Sequence, residues 1–230
     1  MQAITFTQFS LTLRGKKILQ DITFSLAQGE YVCIIGPNGA GKTTLLKCLN
    51  RILRGGSGTV EVLGKSVHLY SQRELGKLIG YVPQDRNQEL PYTVEEFVAM
   101  GRFPYLKPFR PPSLEDEQCV QEAIDVVGLK GFEMRLISTL SGGERQKVFL
   151  ATALAQQPRI LLLDEPANHL DPAYAQDIQQ IIENVCRERN VTVLHVTHDL
   201  SLAARVKTVV ALKEGRCAWM GRPPEVLTPE

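Results

Sequence analysis

No run in the chain approaches the ~20 apolar residues needed to cross a bilayer. The start, Met1-Gln2-Ala3-Ile4-Thr5-Phe6-Thr7, also lacks the basic opening and continuous apolar core of a signal peptide. Any service to a membrane is therefore expected to run through a partner. Charge of one sign is missing too: 26 basic residues face 25 acidic ones. Nothing in that balance points to a general nucleic-acid-binding or membrane-binding surface, although a local patch stays possible. The five cysteines, Cys33, Cys48, Cys119, Cys186 and Cys217, are odd in number, dispersed and free of any C-x-x-C pair, which predicts reduced thiols in a cytosolic protein. Repeats and low-complexity segments are absent. What remains is an ordinary globular composition, 43% hydrophobic over 230 residues, enough for a full core in one large or two small domains.

Within that ordinary chain one stretch stands out: Gly36-Pro37-Asn38-Gly39-Ala40-Gly41-Lys42-Thr43, followed by Thr44. It follows the apolar run Tyr31-Val32-Cys33-Ile34-Ile35, which reads as a buried strand, and precedes a plausible helix from Thr44 to Leu49. Strand, glycine loop and helix in that order are the setting a P-loop requires. The glycines let successive backbone N–H groups converge on phosphate oxygens, and the helix start adds unpaired donors and a positive dipole end. Lys42 supplies a mobile charge for the β- and γ-phosphates, and the Thr43 hydroxyl is placed to ligate Mg²⁺.

Taken in order, residues 4–26 alternate apolar and polar side chains in pieces broken by Arg14-Gly15-Lys16-Lys17 and Gln28-Gly29-Glu30, predicting antiparallel strands ahead of the P-loop strand. Strand pattern resumes at Thr59–Gly64, a short helix is expected at Ser71–Leu75, and a strand at Leu78–Val82. Thr93-Val94-Glu95-Glu96 has the form of a capping box, opening a helix through Met100; Pro104 to Pro112 is too proline-rich to continue it. A further helix after Ser113 should end near Gly128 with Leu114, Val120, Ile124 and Val127 on one face. Residues 84–140 therefore read as an inserted helical lobe within a single domain spanning 1–230. Ser141-Gly142-Gly143-Glu144 opens a helix through Gln157, and Ile160–Leu163 is a strand ending at Asp164-Glu165-Pro166. Asp171-Pro172 starts a helix to about Arg189, Val191–Val196 is a strand leading to His198, and Lys207–Leu212 is another, closed by Glu214-Gly215. The fold class expected is α/β: a P-loop core with a mainly parallel sheet, an N-terminal antiparallel β subdomain and the inserted helices.

Three constellations bring chemistry to the loop. Asp164 and Glu165 sit at the C-terminal edge of a buried strand, where ligands gather in open α/β sheets. The first acid can hold Mg²⁺ and the second can polarise a water for attack on the γ-phosphate. His198 closes the next strand and can hydrogen-bond that phosphate, and Gln84, at another strand end, can touch Mg²⁺ or the water. Ser141-Gly142-Gly143 is a second glycine-bearing helix start suited to an anion. A phosphate already held by a P-loop leaves little room for it on the same molecule, and a two-fold dimer in which each copy closes over the other's nucleotide resolves the conflict.

These residues together resemble an ABC transporter ATPase subunit over nearly the whole chain. Gly36–Thr43, Gln84, Leu140–Gln146, Leu161–Pro166, Asn168-His169-Leu170-Asp171 and His198 look like, in order, the Walker A, Q-loop, signature, Walker B, D-loop and H-loop motifs of that family. The resemblance implies a head-to-tail homodimer with two ATP molecules at its interface, and a helical lobe docked on transmembrane permease subunits at the cytoplasmic face of the membrane. It also implies that Glu165 is the catalytic base, that His198 reads the γ-phosphate, that Ser141 and Gly143 act in trans, and that Asp171 bridges the copies. One position departs from the family: where an aromatic residue usually stacks on adenine, this chain has Leu13, which predicts loose selection between ATP and GTP.

The segment Tyr92–Pro104 and the ending Met220–Leu227 are similar to importers of iron-siderophore complexes, haem and cobalamin, and zinc and manganese importers share parts of the pattern. A substrate-binding protein is then an expected partner, and the chain's end soon afterwards predicts no appended regulatory domain. ABC ATPases of translation and DNA repair carry paired cassettes or a long coiled-coil insertion, neither of which is present. Asn168-x-x-Asp171 superficially matches a guanine-reading motif, but it follows the acid pair directly instead of ending its own strand.

Overall fold

The computed structural model describes residues 1–84, 91–168 and 170–223. Alternation dictates the first layer: β1 (Gln2–Leu13) and β2 (Lys16–Ala27) bury Phe6, Phe9, Leu11, Leu19, Ile22 and Leu26 on one face, as a half-covered antiparallel pair does. The apolar run β3 (Tyr31–Ile35) then enters a different sheet and leads through the glycine loop into α1 (Lys42–Leu49). The chain returns to β1 with β4 (Ser57–Val62) and β5 (Lys65–Ser66), completing a four-stranded antiparallel sheet in the order β2-β1-β4-β5.

After α2 (Gln72–Leu78), which starts in a capping box formed by Ser71 and Glu74, comes β6 (Ile79–Val82). The helical part follows: α3 (Val94–Ala99), capped by Thr93 and Glu96, then α4 (Leu114–Val126), capped by Ser113 and Asp116, and α5 (Gly142–Ala155), capped by Ser141 and Glu144. Residues 85–90 of the expected inserted lobe lie outside the described residues. The chain then alternates β7 (Ile160–Asp164), α6 (Pro172–Arg189), β8 (Thr192–Val196), α7 (Leu200–Ala203), β9 (Thr208–Lys213) and β10 (Arg216–Gly221).

The second sheet has the order β10-β9-β3-β8-β7-β6, parallel throughout except for the hairpin of β9 with β10. Every residue of β7 and β8 is buried, the mark of strands covered on both faces. On one face Ile34, Leu162, Leu194 and Val196 pack with Leu45 and Leu49 of α1 and with the antiparallel sheet. On the other, Leu161, Leu163 and Val193 pack beneath α5 and α6, together with Val94, Val98, Val120 and Ile124 of α3 and α4. All parallel strands thus point one way, and their C-terminal ends share an edge.

Two readings of the sequence are corrected in detail and one is extended. Leu114, expected on the apolar face of α4 with Val120, Ile124 and Val127, is 77% exposed while the other three are buried. It is the first residue of the helix and points away from the core. The turn at Glu214-Gly215 closes β9 as expected and leads on into β10, a strand beyond those expected. Asp171 caps α6 by position, with Pro172 at the first turn, but its side chain makes no capping hydrogen bond. His169 and residues 224–227 of the sequence motifs lie outside the described residues.

Candidate active site

The loop between β3 and α1 is shaped by backbone that side chains would obstruct. Gly36 has φ 145°, and a Cβ there would lie 2.1 Å from the Leu212 carbonyl oxygen. Gly41, with φ 99°, would bring a Cβ to 2.8 Å from a Leu19 methyl. The loop is pressed against β9 on one side and β2 on the other. Lys42 folds back over it, Nζ donating to the carbonyl oxygens of Gly36 at 2.8 Å and Pro37 at 3.2 Å. Burial lowers the Lys42 ammonium pKa, against the opposing pull of Glu165 and Asp164.

The neighbouring strand end carries the acids. Thr43 Oγ1 donates to Asp164 Oδ1 at 2.9 Å, and Tyr81, from β6 on the far side of β7, donates its hydroxyl to Oδ2 at 3.2 Å. Asp164 is fully buried, and burial raises its pKa; the Thr43 and Tyr81 hydrogen bonds oppose the rise, while Glu165 adds to it. A buried carboxylate held by two hydroxyls and flanked by a second acid is short of cations.

Glu165 follows at once, in the left-handed backbone region with φ 52°. Its amide donates to the Val196 carbonyl oxygen at 3.0 Å, which fixes the bend against β8. Three side chains then aim the carboxylate: His198 Nε2 lies 2.9 Å from Oε1, Gln84 Nε2 donates to Oε2 at 2.9 Å, and Asn168 Nδ2 donates to Oε2 as well. His198, Gln84 and Glu165, far apart in sequence, thus meet in one cluster. The other histidine of this strand takes no part in it. His195 lies 2.8 Å from the Tyr31 hydroxyl through Nδ1, and burial pushes its pKa down to about 3, so it is neutral.

A cavity of about 770 Å³ lies over the phosphate loop. Residues 38–44, Gln84 and Glu165 form one wall; Lys16, Lys17, Ile18 and Gln20 of β2, with Glu214 and Gly215 of the β9–β10 turn, form the other. Leu13 is half-buried at the end of β1, packed against the core, and among the described residues no aromatic side chain lines the cavity. Ser141, Gly142, Gly143 and Asp171 do not line it either. Ser141 caps α5, its Oγ accepting from the Glu144 amide at 3.3 Å while Glu144 Oε2 accepts from the Ser141 amide at 2.8 Å; Ser141 and Gly142 are exposed. Two residues escaped the sequence reading of the site. Tyr81 has the signal of sharing the strand edge with Asp164, and Asn168 that of lying three residues after Glu165, where a tight turn brings it back.

The family described as ABC transporter matches residues 19–168. The iron(3+)-hydroxamate import ATP-binding protein of Bacillus subtilis is 37% identical over 231 residues, spanning 100% of this chain and 86% of that protein. An inward-facing metal-chelate type ABC transporter superposes with a TM-score of 0.86 at 28% identity, covering 99% of this chain and 86% of the other. A dimeric bacterial ABC transporter cassette does so with a TM-score of 0.84 at 28% identity, covering 96% and 98%. A match over most of the chain, joined to a phosphate loop facing an acid pair, leads to one conclusion: this chain belongs to the ABC transporter family, as its ATP-binding, ATP-hydrolysing subunit.

Proposed function

We propose that two copies of this chain close head-to-tail around two ATP molecules, with Glu165 as the base that activates water for attack on the γ-phosphate. The observation that carries this reading is the division of the motif residues. The phosphate loop, Gln84, Asp164, Glu165 and His198 converge, whereas Ser141, Gly142, Gly143 and Asp171 lie outside the cavity they form. A second copy supplies what one copy leaves out. In the reaction the water oxygen bonds to the γ-phosphorus as the bond to the bridging oxygen breaks and ADP departs. The water proton passes to a Glu165 oxygen, once one of its three hydrogen-bond donors has moved aside. Lys42 neutralises charge on the β- and γ-phosphate oxygens while backbone N–H groups of the loop, from Asn38 to Thr44, donate to them; His198 contacts the γ-phosphate, and the partner's α5 start, Ser141 and Gly143, covers it.

The donor set fits Mg²⁺. The Thr43 hydroxyl and the Asp164 carboxylate are hard oxygen ligands 2.9 Å apart, and Asp164 has no ion pair among the described residues. Thr43 and Asp164 would hold the ion with Gln84, and it would neutralise charge on the phosphates.

The subunit's work in this reading is uptake of a metal-chelate cargo of the iron-siderophore, haem or cobalamin type, through permease subunits at the cytoplasmic face of the membrane. The identity with the iron-hydroxamate import protein and the likeness to the metal-chelate transporter support that cargo class. A substrate-binding protein would deliver the cargo, and the helices α3 and α4 would meet the permease. No helix among the described residues is long and apolar enough to cross a membrane. The deciding experiment is Glu165→Gln. Turnover should fall by about 10²–10⁴ with ATP binding intact, and gel filtration with ATP should show a dimer. A variant that stays monomeric with ATP bound would sink the two-copy reading.

A further inference from the structure

The start of α5 is built against the start of α6 by three successive contacts. The nearest atom to a Cβ placed on Gly142 is a Leu170 methyl at 3.7 Å. One placed on Gly143 would lie 2.4 Å from Tyr174 Cδ1, 2.6 Å from Cγ and 3.0 Å from Cε1. One turn further on, Lys147 Nζ meets Asp177 Oδ2 at 2.5 Å. Tyr174 and Asp177, three residues apart, share one face of α6, with Leu170 just ahead of the helix, and Gly142, Gly143 and Lys147 are the side of α5 they touch. The Tyr174 ring sits where any side chain on Gly143 would be. That glycine is thus required by an aromatic ring of its own chain, apart from any need to approach a phosphate.

The segment that carries Tyr174 reaches the other pocket as well. Asn168, six residues earlier, donates to the Glu165 carboxylate of its own site, and Asp171 caps the same helix. The seven residues from Asn168 to Tyr174 therefore touch the Glu165 carboxylate at one end and Gly143 at the other.

From this we infer that Tyr174 is a positioning residue. Its ring, seated on Gly143, fixes the angle at which the α5 start is offered to the nucleotide of the second copy, and ties that angle to the Asn168–Glu165 contact of its own pocket. The inference rests on the two-copy reading above. Tyr174 touches no nucleotide in this scheme and is 38% exposed, so its removal leaves the phosphate loop and its cavity untouched.

The test uses the full chain in the Glu165→Gln background, where ATP-driven dimerisation is read by gel filtration and the affinity of the isolated subunit by titration with a fluorescent ATP analogue at dilute protein. Adding Tyr174→Ala should raise the ATP concentration for half-dimerisation about tenfold or more, since misplacing a docking group by about 1 Å costs on that scale. Subunit affinity should stay unchanged, and Tyr174→Phe, which keeps the ring, should restore dimerisation. In chains with Glu165 intact, Tyr174→Ala should also bring the Hill coefficient of ATP hydrolysis down towards 1. Dimerisation by the Tyr174→Ala chain at the parent's ATP concentration overturns the proposal, as does a Phe variant as defective as the Ala variant. A parent that never dimerises instead sinks the reading beneath it, so the two failures are separable. Should the Ala variant fold poorly, the Gly143→Ala change answers the same question: its added methyl should cost several-fold less in dimerisation when Tyr174→Leu has removed the ring than when the ring is present, and an equal cost overturns the seat.

Discussion

Arg102 lies on the short turn after α3 and is 3% exposed, with a guanidinium that serves three parts of the helical region at once. Its Nε meets Asp116 Oδ1 of α4 at 2.9 Å, Nη1 donates to the Ala155 carbonyl oxygen at the end of α5 at 2.8 Å, and the group lies 3.9 Å from the Tyr105 ring centroid. Replacing Arg102 by Ala leaves the Asp116 charge nearly buried without its cation, and the last turn of α5 without a donor. Removing one partner of a buried pair costs about 3–5 kcal/mol, against about 0–1 kcal/mol for an exposed pair. For a chain of this size each kcal/mol is worth about 2–4 °C, so the melting temperature should fall by roughly 10 °C. The pH dependence has a definite sign. Burial alone raises the Asp116 carboxyl pKa, but the Ser113 amide and hydroxyl and Arg102 outweigh it and leave it below the ordinary value. A depressed carboxylate contributes stability that is present above its unfolded value of about 3.9 and is lost as pH falls through the folded value. The gap between parent and Arg102→Ala should therefore be widest near neutrality and narrow on acidification, as measured by urea unfolding followed by circular dichroism. Adding Asp116→Asn to the Ala variant should recover part of the loss. A cost within about 1 kcal/mol, or a gap that widens as pH falls, refutes the reasoning.

Gly36→Ala should lose ATP binding and melt several degrees lower, because its methyl meets the Leu212 carbonyl, while Gly39→Ala, with nothing within 4 Å, should cost only the strain of its φ of 80°; equal effects on nucleotide titration and melting would contradict this. Asp164→Asn should abolish turnover, as chelation of Mg²⁺ by EDTA should in the parent, yet raise the melting temperature of the nucleotide-free chain. A carboxyl whose pKa burial has raised destabilises the fold once it ionises, so removing the charge stabilises it at pH 7; a lower melting temperature is the contrary result. ATP and GTP should be hydrolysed at similar rates, because no ring lines the cavity and the missing stack is worth about 0.5–1.5 kcal/mol; a strong preference for ATP in a steady-state assay would show that another contact reads the base.

Much of this molecule is legible in the sequence because its signals are local. The strand, loop and helix from Tyr31 to Leu49, the capping pairs Thr93/Glu96 and Ser141/Glu144, and the all-apolar Ile160–Leu163 each declare themselves within a few residues. β10 does not, because it is an edge strand whose residues alternate between exposed and half-exposed, with no buried face to leave a pattern. Leu114 misleads for a related reason: periodicity assigns it to a face, but a helix's first residue can lie beyond the reach of the core. Gln84 and His198 are visible as strand ends, whereas their convergence on the two oxygens of Glu165 depends on the order β8-β7-β6, which only the folded sheet reveals. Tyr174 leaves no trace at all, since its meaning arises from the glycine it rests upon.

The left-handed bend at Glu165 has an evolutionary corollary. A glutamate held at φ 52° gives up about 1 to 3 kcal/mol that a glycine there would keep. Selection for thermal robustness alone would drift towards replacing it, and with it the carboxylate proposed above as the base.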